Sequence, residues 1–208
     1  MEKRMSRPYR MKKRAAARDE TRERIVRATM ALHDEQGVAT TAFADVAERA
    51  GVGPATVLRH FPTIGSLVMA CGAHVAAEMR PPSPAGAAAL FQGLTARQSR
   101  LERLVSELDG FYSRGSMRLI WAAADRDRVP ELDQFLTMVD AGIEALIREA
   151  LADERPSEPL VDVLMALCSI AVWQRLVRAA LTEPQRQGIL TDLLMSAIDA
   201  VRSRAPSK

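Results

Sequence analysis

The sequence predicts an all-α protein in which a small three-helix head precedes a larger helical domain. Two observations carry this. Aromatic residues make up only 4% of the 208 residues while Ala, Leu, Arg and Glu abound, the reverse of the Val, Ile, Tyr, Phe and Thr usage that strands favour. Apolar residues also recur at spacings of three and four along most of the chain, the period of a helix with one buried face. With 48% hydrophobic and 26% charged residues, the composition is globular and suffices for one sizeable core or two small ones.

Residues 1–18 show no apolar periodicity and are expected to form a disordered basic arm. The first helix is predicted from Asp19 to Gln36: Asp19, Glu20 and Glu23 complement the dipole of its first turn, Ile25, Ala28, Thr29 and Leu32 form its buried stripe, and Gly37 ends it. Thr40 or Thr41 caps a second helix through Ala50, with Phe43, Val46, Ala47 and Ala50 buried. Gly51 supplies a tight turn into a third, short helix from Gly53 to His60, where Pro54 is tolerated in the first turn. Thr63 caps a fourth helix to Met79, stopped by Pro81, Pro82 and Pro84. Pro84–Ala96 reads as a loop with a helical turn or two. Then come a helix from Leu101 to Gly115, a short apolar one over Met117–Ala124, and one from Pro130 to Leu151 that buries Phe135 and Met138 among others. Glu158–Leu181, apolar nearly all round, and Glu183–Arg202 close the chain.

Charge is unevenly spread. Met1–Phe61 holds 13 basic and 8 acidic residues, the remainder 16 and 18. Within the first 18 residues, Lys3, Arg4, Arg7, Arg10, Lys12, Lys13, Arg14 and Arg18 face only Glu2. A basic arm on a near-neutral body points to a polyanion, although a solvated tail has the same composition. Apolar runs such as Val161–Leu167 are too short to span a bilayer, and no apolar run follows the basic N-terminus as it would in a secretory signal. Cys71 and Cys168, unpaired in spacing, indicate a reducing compartment, taken as the cytoplasm, and no zinc site.

Helix, short glycine turn, short helix is the helix-turn-helix arrangement that places a recognition helix in a DNA major groove. Ala47 and Ala50 are small where two helices cross. Val52, Val57 and Phe61 point inward, leaving Ala55, Thr56 and Arg59 outward. The first helix over Arg24–Gly37, the Thr40-Thr41 entry, the run A-E-R-A-G-V at Ala47–Val52, the run A-T-V-L-R-H-F at Ala55–Phe61 and Leu67 together resemble the TetR family of regulators over about a quarter of the chain.

That resemblance implies a homodimer on a palindromic double-stranded DNA operator, and a C-terminal domain over residues 63–208 that binds a small effector and dimerises, behind a DNA-binding domain over residues 19–62. It implies phosphate contacts from Thr40, Thr41, Thr56 and His60 and base contacts from Ala55 and Arg59, the Arg59 fork suiting guanine O6 and N7. Gly53 and Pro54 at the start of the recognition helix, with Lys12, Lys13 and Arg14 of the arm, complete the expected DNA site. The sequence departs from the family pattern in three places. Leu58 stands where a phosphate-contacting Tyr is usual, His33 where a core Phe is usual, and Ile64-Gly65-Ser66 where the fourth helix usually starts with charge.

In the C-terminal domain, Phe111, Trp121, Phe135, Met138, Met165 and Trp173 are candidates to line an apolar effector pocket, though each is equally an ordinary core residue. Val163, Leu167, Ile170, Leu190, Leu194 and Ile198 are the expected dimer interface. Asp125-Arg126-Asp127 is read as a solvated turn and no metal site or cofactor is expected. The whole reads as a ligand-responsive repressor and not an enzyme. The alternative, a helical carrier or enzyme without DNA binding, has no phosphate loop, H-E-x-x-H or nucleophile elbow behind it.

Overall fold

A computed structural model describes residues 7–204, and among these every regular element is helical. The helices are α1 (Arg7–Gln36), α2 (Phe43–Ala50), α3 (Pro54–His60), α4 (Ile64–Met79), α5 (Ala87–Leu90), α6 (Arg97–Asp125), α7 (Pro130–Ala150), α8 (Glu158–Leu167), α9 (Ile170–Arg178) and α10 (Glu183–Arg204). They fall into two compact units. Among the described residues the head comprises those up to 75 together with 121–133, and the second unit residues 76–120 together with those from 134 onward. The boundary expected after residue 62 therefore lies further along, and the head includes a segment distant in sequence.

The head core joins Ile25, Val26, Ala28 and Leu32 of α1 to Val46, Ala47 and Ala50 of α2, Val57 and Phe61 around α3, and Leu67, Ala70 and Cys71 of α4. Gly51 turns the chain between α2 and α3 at φ 64°, a conformation that suits glycine. Thr63 caps α4 as expected: its Oγ1 accepts from the Ser66 amide at 3.1 Å while Ser66 Oγ accepts from the Thr63 amide at 3.3 Å. Thr40 and Thr41 do not cap α2. Their hydroxyls donate backwards to the Gln36 and Gly37 carbonyls at 2.6 and 2.9 Å, satisfying the open end of α1, and α2 starts after Ala42, whose amide donates to Asp45 at 3.2 Å.

The α1–α2 turn is secured by Asp125, a buried residue at the end of α6. One carboxylate oxygen accepts from the Val38 and Ala39 amides, both at 2.9 Å. Asp125 is thus a structural anchor and not part of a solvated turn. Gly37 fits this corner because any Cβ there would meet the same carboxylate and the Trp121 ring at 3.2–3.3 Å.

The expected disordered arm is helical from Arg7, continuous with α1. Residues 1–6 lie outside the described ones. Arg, Lys, Met and Ala are all strong helix formers, and an exposed helix needs no apolar stripe. Leu101–Gly115 and Met117–Ala124 form one helix, α6. Gly115 lies inside it because a Cβ would come within 2.1 Å of the Met79 side chain, so the glycine serves close packing. The single helix expected over Glu158–Leu181 is two, broken at Cys168-Ser169. Ser169 caps α9 through the Val172 amide, and Tyr112 Oη donates to the freed Cys168 carbonyl at 2.7 Å. The stretch Glu158–Arg178 reaches a mean hydropathy of 1.7 and would match a membrane span by length and composition, contrary to the sequence expectation, but this break divides it. In the same unit Asp109 is a buried hub, accepting from Trp173 Nε1 at 2.7 Å and, through both its oxygens, from Arg186 at 3.0 Å.

Two outcomes follow from the head's buried polar groups. Asp125→Ala strips two amides of their acceptor and lowers stability in urea unfolding by about 2 kcal/mol, with Asp125→Asn intermediate; an unchanged midpoint refutes the anchor. Burial presses the His33 imidazole from its ordinary 6.5 down to about 4, against the opposing pull of Asp34 and Asp125. The folded head thus refuses a proton that the unfolded chain accepts, so stability is full above about pH 6.5 and declines as pH falls towards 4. His33→Phe flattens that decline in unfolding measured at pH 7.5, 6 and 5; an equal decline in both proteins removes His33 as its source.

Candidate nucleic-acid interface

The third helix, α3, rests on the head core through Val57, fully buried, and the adjoining Phe61, at 1% exposure. Arg22 of α1 lies over the Phe61 ring, 4.9 Å from its centre, a cation–π contact. Glu35 of α1 and Arg49 of α2 make a bidentate pair at 2.8 and 2.7 Å. Held so, α3 leaves Pro54, Ala55, Leu58 and Arg59 exposed and Thr56 and His60 half-buried. Leu58, at 46% exposure, presents a bare apolar side chain on this outer face.

Beside α3 runs the N-terminal half of α1. A trough of about 710 Å³ lies between them, walled by Arg14, Ala17, Arg18, Thr21 and Arg24 on one side and Val52, Gly53, Thr56, Arg59 and His60 on the other. Both walls are single helical faces: 14, 17, 18, 21 and 24 recur every three or four residues, as do 53, 56 and 60. Burial and the nearby Arg18, Arg59 and Arg22, only partly offset by Asp19, hold the His60 imidazole below its ordinary range. A concave wall of guanidiniums with a neutral imidazole beside it is suited to bind a phosphodiester backbone.

Of the residues expected to contact DNA, Gly53, Thr56, Arg59, His60 and Arg14 come together around this trough. Pro54 and Ala55 lie on the outer face of α3, and Lys12 and Lys13 sit on the exposed extension without lining the trough. Thr40 is exposed, but Thr41 is only 7% exposed and bonded inward, which removes its side chain from the interface. Arg18, Thr21 and Arg24 also line the trough; from the sequence, Arg18 is placed only in the basic arm, and Thr21 and Arg24 are not among the expected contacts. Starting α1 at Asp19 hid the stripe, which the spacing from Arg14 to Arg24 displays once the helix is continued.

The effector candidates do not converge. Trp121 belongs to the head, and its buried Nε1 has no hydrogen-bond partner among the described residues. In the second unit Phe111 is fully buried and Trp173 is tied to Asp109, while Met138 is 49% exposed. Phe135 and Met165 are half-buried. Trp173 alone of the six borders the void of about 10 Å³ next to Tyr112 and Cys168, room for no more than a water. Both thiols are buried and pushed up to about 12, as befits small core hydrophobes.

Residues 25–71 match the sequence profile of the bacterial regulatory proteins, tetR family. A search of the curated proteins gives no match. Among solved structures, the multidrug binding protein EbrR, in complex with imidazole, aligns over 86% of this chain and 89% of its own at 17% identity and a TM-score of 0.59. A protein from Rhodococcus sp. assigned to the TetR-family transcriptional regulators aligns over 88% and 98% at 20% identity and a TM-score of 0.55. GusR of Salmonella enterica aligns over 86% and 96% at 17% identity and a TM-score of 0.55. The head sequence over residues 25–71 is thus that of the tetR family of regulatory proteins, and the chain shares the fold of these structures over most of its length.

Proposed function

We propose that the protein is a homodimeric repressor that binds a palindromic operator through α3 and leaves it when a small apolar or amphipathic effector binds the second unit. The observation that carries the DNA-binding part is the cationic trough flanking α3, with Arg59 on its edge. Arg59 reads a guanine in the major groove, Ala55 packs against a base edge, and Thr40, Thr56 and His60 fix the register on phosphates.

Dimerisation is supported by the surface of the last three helices. Leu190, Leu194 and Ile198, expected at the interface, are at most 6% exposed and already spent in the chain's own core. Leu167 and Ile170, flanking the helix break, are half-buried. Val163 with Val177, Ile189 and Leu193 is 39–42% exposed, and most of the apolar stretch over Glu158–Arg178 is not buried within the chain. A partner's copy of α8–α10 is the economical cover.

The effector half of the reading rests on kinship of fold with EbrR, itself a multidrug binding protein. Helices α4, α6 and α7 each contribute residues to both units, and are the elements through which an effector changes the spacing of two heads. The ligand acts by preferring the head spacing that does not fit DNA.

Selection of bound genomic fragments is expected to return a palindrome with half-sites one helical turn apart. Titration of that site with Arg59→Ala should show a loss of about 10- to 100-fold, concentrated at one base position. Leu193→Asp with Ile189→Asp should give monomers by light scattering and half-site binding only. Sequence-blind binding by the wild type overturns the regulator reading, and operator binding indifferent to every apolar ligand screened overturns the effector.

A further inference from the structure

The extension of α1 lies outside the helix-turn-helix and lines one wall of the trough. It is a helix of unbroken register, and its basic residues are sorted by face. Arg14, Arg18 and Arg24 line the trough, whereas Glu23 is turned to His74 on α4 at 3.4 Å. At 1.5 Å rise per residue the three arginines are spread over about 15 Å of helix axis, an elongated track and not a compact anion pocket. All three are exposed, and none has a carboxylate partner among the ion pairs found. The opposite wall is the recognition helix itself.

We propose that the α1 extension is a second DNA-gripping jaw: the trough takes one phosphodiester strand of the operator, with Arg14, Arg18 and Arg24 on its phosphates from one side and Thr56 and His60 from the other. The proposal rests on the DNA-binding reading above. It assigns the basic arm an ordered, strand-clamping role that extends contact beyond the base pairs read by α3. It also offsets the phosphate contact missing at Leu58, because new contacts come from a neighbouring wall.

A strand in the trough has a further consequence at His60. In the free head the imidazole faces Arg18, Asp19 and Arg22 from α1 and Arg59 from α3, a field with excess positive charge. An entering phosphate offsets part of that field and eases protonation of the imidazole, so binding favours uptake of a proton. Affinity therefore rises as pH falls into the imidazole's titration range, and His60→Gln abolishes that rise while retaining a hydrogen-bonding side chain.

The test uses the full chain and the DNA site selected from the genome. Wild type, Arg14→Gln/Arg18→Gln and a charge-matched control, Arg103→Gln/Arg204→Gln, are titrated against salt. All four positions are exposed, and far-UV circular dichroism with thermal unfolding checks that each protein is folded. The jaw variant should lower the slope of log affinity against log salt by about two per bound head, hence about four for a dimer on both half-sites. The order of preference among half-site sequences should stay unchanged, and hydroxyl-radical protection should shrink at the edge of each half-site. The control should keep the wild-type slope. Site-specific binding by the wild type with an unchanged slope and footprint in the jaw variant overturns the jaw and leaves the regulator standing. A wild type that shows no site-specific binding overturns both.

Discussion

Seven residues do not hold a helix in water, where isolated helices shorter than about 12–15 residues are marginal. The recognition helix α3 is seven residues long, and every function assigned to it depends on the anchors that keep it helical. Val57 and Phe61 supply them from one face, sunk into a core that α1, α2 and α4 share. Burying both side chains contributes several kcal/mol against the cost of ordering so short a segment. The other face is thereby released from any structural duty. That division explains how Ala, Leu and Arg side chains stand on an exposed surface at Ala55, Leu58 and Arg59 without weakening the fold.

The same core explains which parts of the chain were legible in the sequence. Val46, Ala47, Ala50, Val57, Phe61 and Leu67 sit at the spacings a helix-turn-helix core requires, and the glycine at 51 stands where a positive φ is needed, so α2 to α4 are readable to within a residue or two. The misreadings share a different cause. Gly115 was taken as a stop, because a glycine that ends a helix and one that lets Met79 lie against it look alike in one dimension. Ser169 was passed over inside an apolar run, because the carbonyl it frees is satisfied by Tyr112, far away in sequence. Leu190, Leu194 and Ile198 were assigned to a partner because periodicity says that a face is buried and not against what.

Part of the interface was hidden for a related reason. The rule that helices show an apolar stripe applies to helices that pack, and the α1 extension packs little: residues 11–20 are exposed throughout. Its helicity comes from intrinsic propensity and from continuity with a buried helix, which removes the cost of nucleation. Its charge was visible at once, its order was not. Order is what separates eight loose cations from a wall of guanidiniums, since a side chain on a fixed helix gives up less conformational freedom when it meets a phosphate.

Asp125 shows how far the head depends on residues outside the helix-turn-helix. Its carboxylate holds the two amides that follow α1, and the threonines just beyond them close the end of α1 through their own hydroxyls. The approach to α2 is thus set by three side chains acting on four consecutive residues, 36–39. A displacement of the last turn of α6 takes the Asp125 oxygen away from two donors that have no other acceptor assigned, and the turn that positions Thr40 loses its anchor. Asp125 reaches this turn as the last residue of α6, a single helix from Arg97, whose final residues are counted in the head. The geometry that presents the helix-turn-helix is therefore fixed in part by a carboxylate 87 residues away from the amide it holds.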